Sequence, residues 1–417
     1  MVLEKNSKTM KITYSLFLFI IFSYFQSNAT VYTVTNTANS GPGSLRQAIT
    51  NANGLGADQI VFNISGTAPH IITPLSAFPN LNDDQTVIDG STQPANGYAG
   101  PGPKIIIDGS LAGAAAKCFH ISGYGCEIYG LYIKKFASDG IYIDCYNQTA
   151  NPGFVVGAAG KGNVISNNSG NGITIETGAI HNSFIQGNII GLDSAGIFSY
   201  GNNNGIYFNN TADNIHIGGA AAGEGNVISS NTSNGIAMNN TFTRIFIKGN
   251  KIGTDITGTI ARGNGGTGVY SNGGGSDSIL IGGNSILGEG NLISNNGDKG
   301  IMFNGNGWSN IFIKGNQIGT DISGLLPMGN KRSGIATNAS VLNNITIGGA
   351  VTGEGNIISG NNFFGGPLEG GISISSATGH GNIKNNRIGS DASGNLNIGN
   401  KYICLARTRL QTCLIRT

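Results

Sequence analysis

The sequence predicts an all-β solenoid, a parallel β-helix closed at its start by a short capping helix, and three observations carry that reading. Gly supplies 69 of the 417 residues, about one in six against a usual level of roughly 7%. Two Asn-anchored phrases recur along the chain, and the apolar pieces between them alternate with period two, the signature of strands. With 39% apolar residues and no three-residue Gly period, the chain is neither a triple helix nor a disordered linker.

The first phrase, Gly-x-Gly-Asn, has its Asn at 163, 226, 291 and 356, and the second, ending in Ile-Gly-x-Asp, has its Asn at 188, 250, 316 and 386. In order, the intervals are 25, 38, 24, 41, 25, 40 and 30 residues, so short and long units alternate. The short unit after Asn226 has three apolar pieces, Val227-Ile228, Ile236-Ala237-Met238 and Ile245-Phe246-Ile247, enough for one triangular coil. The long unit reads as the same coil with insertions around 254–258 and 283–289. One coil cannot bury its apolar side alone, whereas stacked copies share a core. Gly, with about 50 Asn, suits corners with left-handed backbone, and Asn repeated at one corner can form an amide ladder along the stack.

The remaining segments follow in chain order. Residues 1–29 hold Lys5, Lys8 and Lys11 ahead of the apolar run from Ile12 to Phe25, with Ser27 and Ala29 preceding a cut; this predicts a secretory signal peptide, an uncleaved anchor being the alternative. Residues 30–117 are expected to form the cap and first irregular coils. Ser44 and Gln47 fit a capping box, and Leu45, Ala48, Ile49 and Ala52 share a helical face between strands at 31–35 and 59–64. Residues 118–400 are the β-helix repeats. The tail at 401–417 has no Gly and departs from the repeat after Gly399-Asn400-Lys401, which suggests a truncation or frameshift, a genuine cap being the alternative.

Excluding both ends, the body has 16 basic and 20 acidic residues, a balance that does not suggest a nucleic-acid partner. Five Cys are too few for a disulfide framework in a chain this long. Cys118, Cys126 and Cys145 read as buried thiols with at most one bridge, and no pair has zinc-type spacing.

Thr33-Val34-Thr35-Asn36-Thr37, the run from Gly41 to Ile49 and Asp58-Gln59-Ile60-Val61-Phe62 resemble the N-terminal CSLREA module of secreted bacterial surface proteins, with Gly43 in place of the usual Cys and Gln47 in place of Glu. The units beyond resemble right-handed parallel β-helix repeats of the pectin-lyase-like type. The resemblance implies export and a cell-surface or extracellular location, but no single activity.

A pectinase-like hydrolase needs clustered Asp carboxylates with a His motif, and a lyase needs a Lys or Arg base with Asp-bound calcium. Gly379-His380-Gly381 resembles the pectinase Gly-His-Gly, but its accompanying motifs are missing and Asp83-Asp84 lie far away, so no catalytic residue is assigned. Asp193, Asp255, Asp321 and Asp391 form one acidic series, and Glu224, Glu289 and Glu354 another. Both recur every second coil, about 9.6 Å apart, too far to share one ion. They read as turn caps, with calcium in the loops as the alternative; no metal or cofactor is expected to be required. The candidate ligand-binding residues are Phe246, Lys248, Phe312 and Lys314, which point outward where the neighbouring Ile residues point inward. His216, Leu280 and Thr346 occupy the intervening coils, giving a broken stripe. The expected role is structural, adhesive or glycan-binding, with acidic polysaccharide or a cell-surface glycan as partner, and a carbohydrate-active enzyme as the alternative.

Overall fold

The computed structural model describes residues 29–401 except 55, 146–151, 177–179 and 362–368, together with 404–406. The segment assigned to the signal peptide and most of the tail lie outside the described residues.

Every pairing between the named strands is parallel, with partners about one coil apart, as in Ile215↔Ile245 and Ile245↔Ile279. This is a parallel β-helix, right-handed as parallel crossovers are. Within a coil the chain visits three faces. After Asn226, Val227–Ile228 lies on a third face, Ile236–Met238 on a second and Phe242–Lys248 on a first. The third face is an eleven-stranded sheet. The first and second faces join into one twenty-stranded sheet because Ile335–Gly348 and Ile372–Lys384 run through the corner between them. Cys404–Ala406 adds a strand beside Ile372–Ile374.

Alternation explains the core. Ile245, Ile247, Ile279, Ile281, Ile311 and Ile313 are all fully buried, and in-register stacking makes each the floor of the next. At one corner the Asn anchors form the expected ladder. The Nδ2 groups of Asn226, Asn250 and Asn291 donate to the Oδ1 atoms of Asn250, Asn291 and Asn316 at 2.9, 3.0 and 2.9 Å. Each amide also bonds to the backbone, as Asn250 Nδ2 does to the Ile217 carbonyl at 2.8 Å, so these buried groups are satisfied. A second buried ladder, unforeseen from the sequence, runs through Asn168, Asn202, Asn231, Asn264, Asn296, Asn330, Asn361 and Asn400.

Gly serves a further purpose beside that second ladder. A Cβ on Gly235 would come within 2.7 Å of the Gly268 carbonyl and 3.0 Å of the Asn264 amide. Close approach, rather than left-handed backbone, excludes a side chain there.

The cap helix α1, Leu45–Ala52, buries Leu45, Ala48, Ile49 and Ala52 as expected. Its box is half formed. Ser44 Oγ accepts from the Gln47 N–H at 3.2 Å, but the Gln47 amide donates to Asn51 and the Ser44 N–H to the Gly41 carbonyl. The flanking strands, Val31–Val34 and Gln59–Phe62, pair with each other and continue the first face to Val87–Asp89.

The insertions occur where expected. The loops at 192–199, 254–261, 320–327 and 390–397 are each closed by an antiparallel bridge. They also meet one another across two coils, through N–H bonds from Ile256 to Gly196 and from Ile322 to Gly258 at 2.9 and 3.0 Å. They form an outer rib on one side of the third face. The loops at 219–225, 283–290 and 349–355 lie on its other side.

Candidate functional site

The first face places the sequence-selected residues in one outward column. Its register runs Phe184↔His216↔Phe246↔Leu280↔Phe312↔Thr346. Phe246 and Phe312 are two strands apart, which sets their separation at about 9.6 Å. The stripe is less broken than its composition suggests. The His216 ring stacks between Phe184 and Phe246 at centroid distances of 4.8 and 4.7 Å, nearly parallel to both. Phe184 is 36% exposed and the other members are half-buried. Stacking occupies one plane of the Phe246 ring, so its edges and upper rim are left for a ligand.

Lys248 and Lys314 flank this column, and each is already paired. Lys248 Nζ meets Glu289 Oε1 at 2.7 Å, and Lys314 Nζ meets Glu354 Oε1 at 3.0 Å. The other carboxylate oxygen closes the loop that carries it, accepting from the Asn284 N–H at 2.7 Å and the Val351 N–H at 3.3 Å. Burial alone raises the Glu289 carboxyl, but the Lys248 hydrogen bond, the Asn284 N–H and the Lys charge together hold it below its ordinary value. In the earlier copy, Gln186 stands in the Lys position and donates to the Gly218 carbonyl, while Glu224 still caps its own loop through the Ala221 N–H.

The same face carries a charged cluster that sequence reading missed. His181, Asp213 and Arg244 come from three successive strands. His181 Nδ1 is 3.1 Å from Asp213 Oδ2, and Arg244 clamps the same carboxylate, its Nε donating to Oδ1 at 2.8 Å and its NH2 to Oδ2. Burial pushes the Asp213 carboxyl up, but the Arg244 and His181 bonds prevail and hold it below its usual value. Burial, then the Lys248 charge, lowers His216, so its ring is neutral near pH 7. Arg244 has φ 53°, at a kink in the strand where Asn182, Asn214, Ser278, Asn310 and Asn344 hold the equivalent left-handed positions. Asn tolerates that conformation and Arg does not do so readily, at a cost of about 1–2 kcal/mol. Three residues 31 or 32 apart share no local phrase; the coil register is the signal that unites them.

The second face offers less. Its outward column alternates Tyr142, Thr174, Tyr207, Ala237 and Tyr270. Lys117 Nζ lies 3.1 Å over the Tyr142 ring, and the Tyr207 hydroxyl is held by Asn209 and Asn239.

The recurrent acids act as turn caps. Asp255 Oδ1 accepts from the N–H groups of Thr259 and Ile260 at 3.1 and 2.9 Å, and Asp193, Asp321 and Asp391 repeat the arrangement. Cys118, Cys126 and Cys145 are buried thiols, with burial pushing Cys126 up to about 12 and Cys145 up to about 11. Gly379-His380-Gly381 falls within Ile372–Lys384, but the His380 side chain lies outside the described residues.

No family model and no curated protein matches the sequence. Among solved structures, a pectate lyase is similar at 12% identity and TM-score 0.36, over 86% of this chain and 78% of that one. The Dettilon tailspike protein is similar at 15% identity and TM-score 0.35, over 86% and 70%. The A-module of an Azotobacter vinelandii mannuronan C-5 epimerase is similar at 11% identity and TM-score 0.29, over 85% and 98%. The fold assignment rests on the strand pairing itself.

Proposed function

We propose that this chain is an exported cell-surface or extracellular solenoid of structural or adhesive role that binds a glycan along its first face. The observation that supports this is the outward column Phe184, His216, Phe246, Leu280 and Phe312, an apolar strip parallel to the solenoid axis and flanked by charge pairs. An extended glycan laid on the strip meets ring edges in the middle and, at the margins, polar groups of Arg244, Asp213, Lys248 and Lys314. Those charges are compensated within the protein, so this face suits neutral or sparsely charged sugars, hydrogen-bonded by groups that need not be desolvated as bare ions. No metal or cofactor is required in this reading. Affinity electrophoresis through gels containing neutral and acidic polysaccharides tests it. The wild type is expected to be retarded and a Phe246→Ala, Phe312→Ala variant to run free; equal retardation of the two removes this face.

A second reading, a carbohydrate-active enzyme, is favoured by His181, Asp213 and Arg244, a proton-handling group, a carboxylate and a cation beside the strip. Turnover of a retained glycan, lost in Asp213→Asn, would establish it.

A further inference from the structure

The cleft over the third face has a different character, and we propose that it is a separate site for an anionic oligosaccharide running along the solenoid axis. It is a cavity of about 760 Å³ between the rib loop that carries Ile256 and the glycine- and alanine-rich loops at 160–163 and 219–225. Among the described residues three lysines line it, Lys104, Lys161 and Lys251, and no carboxylate does. In a body whose acids outnumber its bases, such a wall is a local departure that concentrates positive potential in a partly enclosed groove.

The lysines differ in how far their charge is already used. Lys161 Nζ pairs with Asp89 at 2.8 Å, outside the cleft wall, and Lys104 Nζ donates to the Ser91 carbonyl at 3.2 Å, which leaves its charge uncompensated. The Lys251 ammonium has no ion pair or hydrogen bond among the described residues. This contrasts with Lys248 and Lys314 on the first face, each matched to a glutamate. Lys104 and Lys251 are therefore unmatched cations in the cleft, beside a ring column whose two lysines are both compensated.

Spacing selects an extended ligand over a point anion. Register runs Val164↔Ile189↔Val227↔Lys251, so Lys251 is three strands beyond the coil that Lys161 introduces, about 14 Å along the axis. One phosphate or sulfate cannot reach both ends; a chain bearing a carboxylate or sulfate on successive sugars can. The floor between them, Val164, Ile189 and Val227, is apolar and suits sugar C–H faces. Among the described residues no aromatic ring lines the cleft, and such rings are the stacking platform that single-stranded nucleic acid uses.

Calorimetry with a hexamer of galacturonate and with neutral cellohexaose, at low salt, tests the site. The uronate is expected to bind and the neutral hexamer not to displace it. Lys251→Gln should weaken uronate binding about tenfold. Ala221→Glu, an exposed loop change that adds a carboxylate to the opposite wall, should abolish it, and added salt should weaken it in the wild type. A Phe246→Ala, Phe312→Ala variant should retain it, which separates this site from the first face. The proposal is overturned if uronate fails to bind the wild type, or binds Lys251→Gln and Ala221→Glu unchanged with their unfolding midpoints intact. Equal competition by inorganic phosphate or by an oligothymidylate would likewise overturn it, reducing the cleft to an unselective anion trap.

Discussion

The Asn corner and the ring column of the first face are both built from one residue per coil stacked on its neighbours, yet they tolerate variation very differently. From residue 163 to 386 the corner has Asn in every coil. The column reads Phe184, His216, Phe246, Leu280, Phe312 and Thr346 over the same stretch. The reason is physical. A buried amide must be matched by another amide, or polar atoms are left without partners. An outward ring has solvent on one side and any side chain can follow it. Strict repetition marks what holds the solenoid up, and drift marks what is available for other uses.

The largest effect should come from the core that both regions share. Ile247 is fully buried between Ile217 and Ile281, and Ile247→Asp is expected to cost on the order of 5 kcal/mol, enough to prevent recovery of folded protein by circular dichroism. Next comes the ladder. Asn250→Ala removes the acceptor of both the N–H and the Nδ2 of Asn226, and chemical denaturation should show a loss of about 3 kcal/mol. In the ring column, Phe246→Ala removes one stacked ring and should cost only about 1 kcal/mol. A ring-column loss as large as that of Asn250→Ala would break the distinction.

The smallest effect belongs to the flanking ion pairs. Lys248 and Glu289 are 22% and 23% exposed, so Glu289→Gln should cost at most about 1 kcal/mol at neutral pH. The sign with pH follows from the Glu289 carboxyl lying below its ordinary value. Its contribution is fully present above the unfolded-chain carboxylate pKa and is lost as pH falls through the lower, folded value. The difference in unfolding midpoint between wild type and Glu289→Gln should therefore shrink toward zero in acid. A difference that persists there assigns the effect to packing.

This contrast also explains what was readable in the sequence. The first Asn ladder and the loop positions were legible because each residue sits in a shared phrase such as Gly-x-Gly-Asn. The second ladder is marked more weakly: Asn168, Asn231, Asn296 and Asn361 share only Ile-Ser-x-Asn, Asn202, Asn264, Asn330 and Asn400 only a preceding Gly, and the two short signals alternate at spacings that vary from 29 to 39 residues. Phe246 and Lys248 were found by alternation within one strand, but alternation does not reveal partners. That Lys248 is matched by Glu289, 41 residues away, and that His216 completes the stack depend on coil length and register. Arg244 meets Asp213 across the coil register, where Asp213 lies opposite Thr243 and Arg244 holds a left-handed residue position before Ile245, and neither feature leaves a mark in a hydropathy pattern.

The central claim, that the repeated corner supports the fold and the varied column serves a ligand, is tested most directly by the glycan-induced shift of the unfolding midpoint. It is compared for wild type, Asn250→Ala and the Phe246→Ala, Phe312→Ala variant, using a polysaccharide that retards the wild type. The account predicts a low starting midpoint but a wild-type upward shift for Asn250→Ala, and a near-wild-type midpoint with no shift for the double Phe variant. A shift in the double Phe variant equal to that of the wild type would contradict it.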